Sequence, residues 1–161
     1  MDNISILRTQ LIGRLDDSGA HASLAQIVAG WPASLRGIKP EAAAHTPWQV
    51  LEHMRIAQWD ILEFSRNPKH VSPDFPDGCW PQTSAPPGES AWESSLRGFN
   101  DDLDQMRNLL RDPGSDLFQP IPHGTGQTLL REAMVLAAHN SYHLGELMLL
   151  RRLLGVPPDL G

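Results

Sequence analysis

AAHNSYHLGELMLLRRLLG, residues 137–155, is the stretch on which the fold turns. Its leucines recur at helical spacing, no proline interrupts it, and Gly155 followed by Val156, Pro157 and Pro158 supplies a stop. A long final helix from Thr128 to Leu154 is therefore predicted. At 3.6 residues per turn, positions four apart differ by about 40° in azimuth, so His139 and His143 project from one stripe about one turn apart. Glu132, Leu136, Glu146 and Leu150 share that stripe. The leucines turn it toward a core, and the polar members make that core chemically unusual. Gly145 costs a helix interior about 1 kcal/mol relative to Ala, so close approach of another helix, from this chain or a second subunit, is expected there.

Working outward, QPIPHGTG (119–126) is a turn-rich entry to this helix, and Asp112-Pro113-Gly114 closes the preceding one. That helix begins at Ser90 and carries Trp92, Leu96, Phe99, Leu103, Met106 and Leu110 on one face. Before it, residues 67–88 (NPKHVSPDFPDGCWPQTSAPPG) are too crowded with proline for a regular element. A structureless stretch of that length is often functional, as a lid or a pocket wall. Thr46-Pro47 is a helix start, because the Thr hydroxyl caps free amides and Pro at the first position needs no amide partner. PWQVLEHMRIAQWDILEFSR should run from there to about Arg66, ending before Pro68. Ile4, Leu7, Leu11 and Leu15 mark a first helix stopping near residues 17–19. Ser23 caps a short turn over residues 24–28, and residues 31–45 read as a connection. Four long helical segments without persuasive strands predict an all-α helical bundle.

At 161 residues and 40% apolar composition, one domain over residues 1–161 with one core is expected. The formal charge of -6, with no basic cluster beyond Arg151 and Arg152, argues against nucleic acid as a partner. No continuous apolar run suggests a membrane span or a secretory segment, so the cytoplasm is the expected compartment. The lone cysteine, Cys79, has no CxxC partner, so any metal must be held by histidines and carboxylates.

An HxxxH pair alone is more often two partly exposed or hydrogen-bonded histidines than a metal site. A third candidate, His53, lies near the margin of the apolar face formed by Val50, Met54, Ala57, Ile61 and Phe64, and ligands from facing helices can meet in a bundle core. Asn140 follows His139, which excludes the HExxH zincin pattern. No Glu precedes His53, His139 or His143 by three residues, which excludes a di-iron bundle. What remains is a mononuclear three-histidine site with open positions. His21, His45 and His70 are expected at the surface, and His123 is a loop histidine within possible reach of substrate. Trp48, Trp59 and Trp92 are expected in packing, and Trp80 is the best pocket candidate. Cys79 beside it has no basic neighbour to activate its thiol. Glu132 and Asp60, each seven residues from a proposed ligand, are candidates to orient imidazoles or shuttle protons.

TPWQVLEHMRIAQWDILEFSRNP, VSPDFPDGCWP, HGTGQTLLREA and AAHNSYHLGELMLLRRLLG, taken in order and spacing, resemble the DinB-like superfamily over roughly residues 40–155. The resemblance implies an antiparallel four-helix bundle with a long Pro-rich loop between the second and third main helices. It further implies a divalent metal on His53, His139 and His143, and often a homodimer. Glu146 stands where that family more often carries Gln. Zinc or nickel, and after them iron or manganese, suit three imidazoles. The implied activities are thiol-dependent S-transfer or isomerisation of a small-molecule substrate, or metal-dependent hydrolysis, and the competing class is a non-catalytic metal-binding or stress-related bundle.

Overall fold

The computed structural model describes residues 2–16 and 20–157, and among these the chain is all-helical. Five α-helices follow in order: α1 (Asn3–Leu15), α2 (Leu24–Val28), α3 (Pro47–Arg66), α4 (Ala91–Arg111) and α5 (Leu129–Leu153). Two 3₁₀ turns, Ala33–Leu35 and Asp77–Cys79, lie in the connections. Pro120 and Thr128 form an isolated bridge, and no described residue belongs to a strand. No described helix is long and apolar enough to cross a membrane.

The helix starts follow from side chains that satisfy otherwise orphaned amides. Thr46 accepts from the Gln49 amide at 3.2 Å while the Gln49 side chain accepts from the Thr46 amide at 3.0 Å, and Pro47 occupies the first helical position of α3. Thr128 caps α5 by accepting from the Arg131 amide at 3.2 Å. Gly155, at φ +68°, takes the left-handed conformation that ends α5. α1 ends at Leu15 with Asp16 as its cap; the stop expected at residues 17–19 falls outside the described residues. Ser90 precedes α4 but makes no side-chain capping bond.

α3 packs on both α4 and α5, α1 lies across α4 and α5, and α2 rests on α5. Leu51, Met54, Leu62, Met106, Leu110, Leu136, Leu147 and Leu150 form the inaccessible centre. Trp48 and Trp92 are buried with them. Trp59 is 37% exposed, its ring edge-on to His70, so the packing role expected of it is only partly taken up. Within this apolar volume Gln58 is wholly buried: its amide donates to the Phe99 carbonyl on α4, and its oxygen accepts from Asn140 Nδ2 on α5 at 2.9 Å. Arg151, also buried, donates to the Ile27 carbonyl at 2.6 Å and the Pro157 carbonyl at 2.9 Å, tying α2 and the segment after α5 together.

Of the two neighbours expected for Gly145, a helix of this chain is not found among the described residues: Gly145 lies on an exposed face of α5, and an added Cβ would have nothing within 4 Å. Gly145→Ala is therefore expected to stabilise the protein by about 0.5–1 kcal/mol through the unfolded chain's lost freedom, measured as a higher urea midpoint. Gln58→Ala should have the opposite effect. It leaves a core cavity and strips the Asn140 amide of its partner, a combined loss of roughly 2–4 kcal/mol in the same assay.

Candidate metal centre

The α3–α5 contact brings three imidazoles together. His53 from α3 and His139 and His143 from α5 offer ligand atoms that all lie within 4.8 Å of one another. Their ring centroids stand 4.6 to 5.0 Å apart. His53 and His143 are buried and His139 is half-buried. His139 Nε2 is 3.1 Å from His53 Nε2.

The remaining ring nitrogens determine which atoms face inward. His53 Nδ1 donates to the Cys79 carbonyl at 2.7 Å, and His143 Nδ1 donates to Glu146 Oε2 at 2.8 Å. Each bond places a proton on Nδ1 and leaves Nε2 as the nitrogen available to a metal, the arrangement that metal-ligating histidines adopt. His139 has no such outer partner, for its Nδ1 is buried and unbonded.

Burial lowers the pKa of His53 despite the bond to Cys79, and burial together with the neighbouring His143 and His53 brings His139 down to about 4. Both rings are neutral near pH 7, the form that ligates. Glu146 is held below its ordinary value chiefly by the bond from His143, against the effect of burial, so a carboxylate backs that ring. Two nitrogens about 2.0–2.1 Å from a common ion stand roughly 2.8–3.4 Å apart at bond angles of about 90–110°. The 3.1 Å approach of the two Nε2 atoms lies in that range. The same separation also suits a hydrogen bond from His139 Nε2 to the His53 Nε2 lone pair, which a bound cation would replace. The residues present therefore fit a divalent ion.

The segment between α3 and α4 supplies one wall. Trp80 stacks on His53 with centroids 3.9 Å apart and planes 3° from parallel. Cys79 meets His53 through its carbonyl, and its thiol is pushed up by burial and by the charge of Asp60, so it is not activated.

Two surface expectations are corrected. His45 stacks on Trp80 at 3.9 Å and donates from Nδ1 to Glu146 Oε1 at 3.2 Å, because the start of α3 holds it against the loop. The His70 side chain is only 5% exposed, since the loop folds it back onto Asp60 Oδ1 at 2.6 Å. His21 is exposed, bonded to Ser141.

The carboxylates chosen by seven-residue spacing serve other partners. Asp60 takes the bond from His70, and Glu132, though buried, takes one from Arg131 at 2.5 Å. Seven residues are about 10 Å of helix, too far for a direct bond to the ligand ring. The orienting groups are instead Glu146, visible in sequence as the i+3 carboxylate after His143, and the Cys79 carbonyl, a main-chain atom with no sequence signature. His123 bonds to the Phe64 carbonyl at 2.7 Å, about 16 Å along α3 from His53.

No curated protein and no solved structure matches the chain. A family model described as the DinB superfamily matches residues 18–147, a span that takes in α2, α3, α4 and most of α5 with all three histidines. A match over more than three quarters of the sequence, running through both helices that build the centre, establishes that the chain belongs to the DinB superfamily.

Proposed function

We propose that the protein is a metal-dependent enzyme in which His53, His139 and His143 hold one divalent ion through Nε2 within a single antiparallel four-helix-bundle domain. The observation that carries this is the convergence of three imidazoles, two of them with Nδ1 already committed to a carbonyl and a carboxylate. Zinc and nickel suit an all-imidazole set, with iron and manganese as further options. Three protein ligands leave positions for substrate or water, as catalytic sites do and closed structural sites do not. Bound there, the cation supplies Lewis acidity that lowers the pKa of a coordinated thiol or water toward neutrality, which suits thiol transfer or hydrolysis. Glu146 keeps the His143 proton on Nδ1, and the Cys79 carbonyl does the same for His53. Trp80 covers one face of the His53 ring and keeps water from it.

Metal analysis of untagged protein tests the site. About one ion per chain is expected, lost in His53→Ala and in the His139→Ala, His143→Ala pair; unchanged metal content in those variants overturns the triad. Removing the ion should lower Tm by several degrees, since a ligand at one hundred times its Kd stabilises by about 2.7 kcal/mol, and neither His53→Ala nor the paired His139→Ala, His143→Ala variant should show a metal-dependent shift.

Glu146→Ala is expected to weaken metal binding by about 10–100-fold in a chelator competition while leaving all three ligands in place. Turnover is read separately against a panel of thiols with electrophiles and of esters. Full metal occupancy with no turnover on that panel would identify a metal-binding protein rather than an enzyme.

A further inference from the structure

The His45 side chain joins two parts of the centre without being a ligand. Its Nδ1 donates to Glu146 Oε1 at 3.2 Å while His143 donates to the other oxygen of the same carboxylate at 2.8 Å. Its ring stacks on Trp80 with planes 19° apart, and the opposite face of Trp80 lies on His53. A single side chain thus reaches His143 through Glu146 and His53 through Trp80.

The backbone around His45 is equally constrained. Thr46, the next residue, caps α3 and donates its hydroxyl to the Ser84 carbonyl at 2.6 Å. Trp48 Nε1 donates to the Thr83 hydroxyl at 3.2 Å, and the Trp48 amide donates to the Arg36 carbonyl at 2.8 Å. Gly37 runs so close to Ala85 that a Cβ on it would stand 2.4 Å from the Ala85 methyl, so the loop end is wedged against the connection before α3. The loop that carries Trp80 and the residue that clamps it are therefore fastened to the same end of α3.

A carboxylate with two acceptor oxygens can rotate about its last torsion unless both are engaged. His143 alone engages one. We propose that His45 is a positioning residue of the metal centre: by engaging the second oxygen of Glu146, and being itself held flat by Trp80, it fixes the carboxylate and through it the orientation and tautomer of the ligand His143.

This inference rests on the assignment of the three histidines as a metal centre, and Co²⁺ titration of the intact chain separates the two. Co²⁺ alone is the probe, because its visible absorption reports the geometry of its ligands as well as its affinity. In His45→Phe the stack on Trp80 remains and the donor is lost; in His45→Leu both are lost; in His45→Asn an amide nitrogen stands near the place of Nδ1. His45→Phe and His45→Leu are expected to bind Co²⁺ about 10-fold more weakly than wild type, the lower end of the cost of losing a partner outside the ligand set, with an altered visible band. His45→Asn should recover most of that affinity and the wild-type band. Two variants lacking the donor keep the comparison intact if one fails to fold. Phe and Leu variants that match wild type in both affinity and band, or an Asn variant no better than Leu, overturn the role of His45. Wild-type protein that takes up no Co²⁺ overturns the metal centre itself.

Discussion

The register between α3 and α5 governs the rest of the site, and a buried amide pair sets it. Gln58 and Asn140, both buried, are hydrogen-bonded at 2.9 Å between the two helices. Burying an amide without a partner costs on the order of 1–3 kcal/mol, so sliding one helix past the other would leave both side chains unsatisfied where water cannot reach them. Asn140 directly follows His139, and Gln58 lies little more than one turn beyond His53. The bond that locks the helices therefore also places the imidazoles opposite each other, and the contact of Gln58 with the Phe99 carbonyl adds α4 to the same lock.

From that register the chemistry follows in steps. Facing rings bring Nε2 atoms to 3.1 Å, a separation suited to a shared cation. Protons are held on the outer nitrogens of His53 and His143 by a loop carbonyl and a helix carboxylate. Burial lowers the pKa of His53 and, more strongly, that of His139. None of these effects alone would suit a metal; their coincidence gives three imidazoles that could hold one. The loop between α3 and α4 contributes through a backbone oxygen and a flat indole, neither of which depends on regular secondary structure.

Much of this was legible along the chain. Thr46-Pro47, Thr128 and Gly155 punctuate α3 and α5 because capping is local chemistry, and the HxxxH spacing on α5 places two rings on one stripe by helical geometry alone. His53 could be picked out because it borders the apolar face of its helix. His45 and His70 were misplaced for one reason: each lies outside the helices, where no periodicity says which way a side chain turns. At Gly145 no described helix of this chain fills the space, because a glycine's missing side chain says that room is available without saying what occupies it. Asp60 and Glu132 share an azimuth with the ligands, but azimuth ignores about 10 Å of axial distance.

By itself the sequence determined the all-helical class, the extents of the long helices and the three histidines that could meet, since all of these follow from local periodicity and capping. Only the tertiary structure decided that they do meet, which nitrogen each presents, and that His45, Trp80, Glu146 and the Cys79 carbonyl surround them. The reason is that those relations run between segments far apart in the chain, where packing of a shared core and satisfaction of buried polar groups, rather than neighbouring residues, set the geometry.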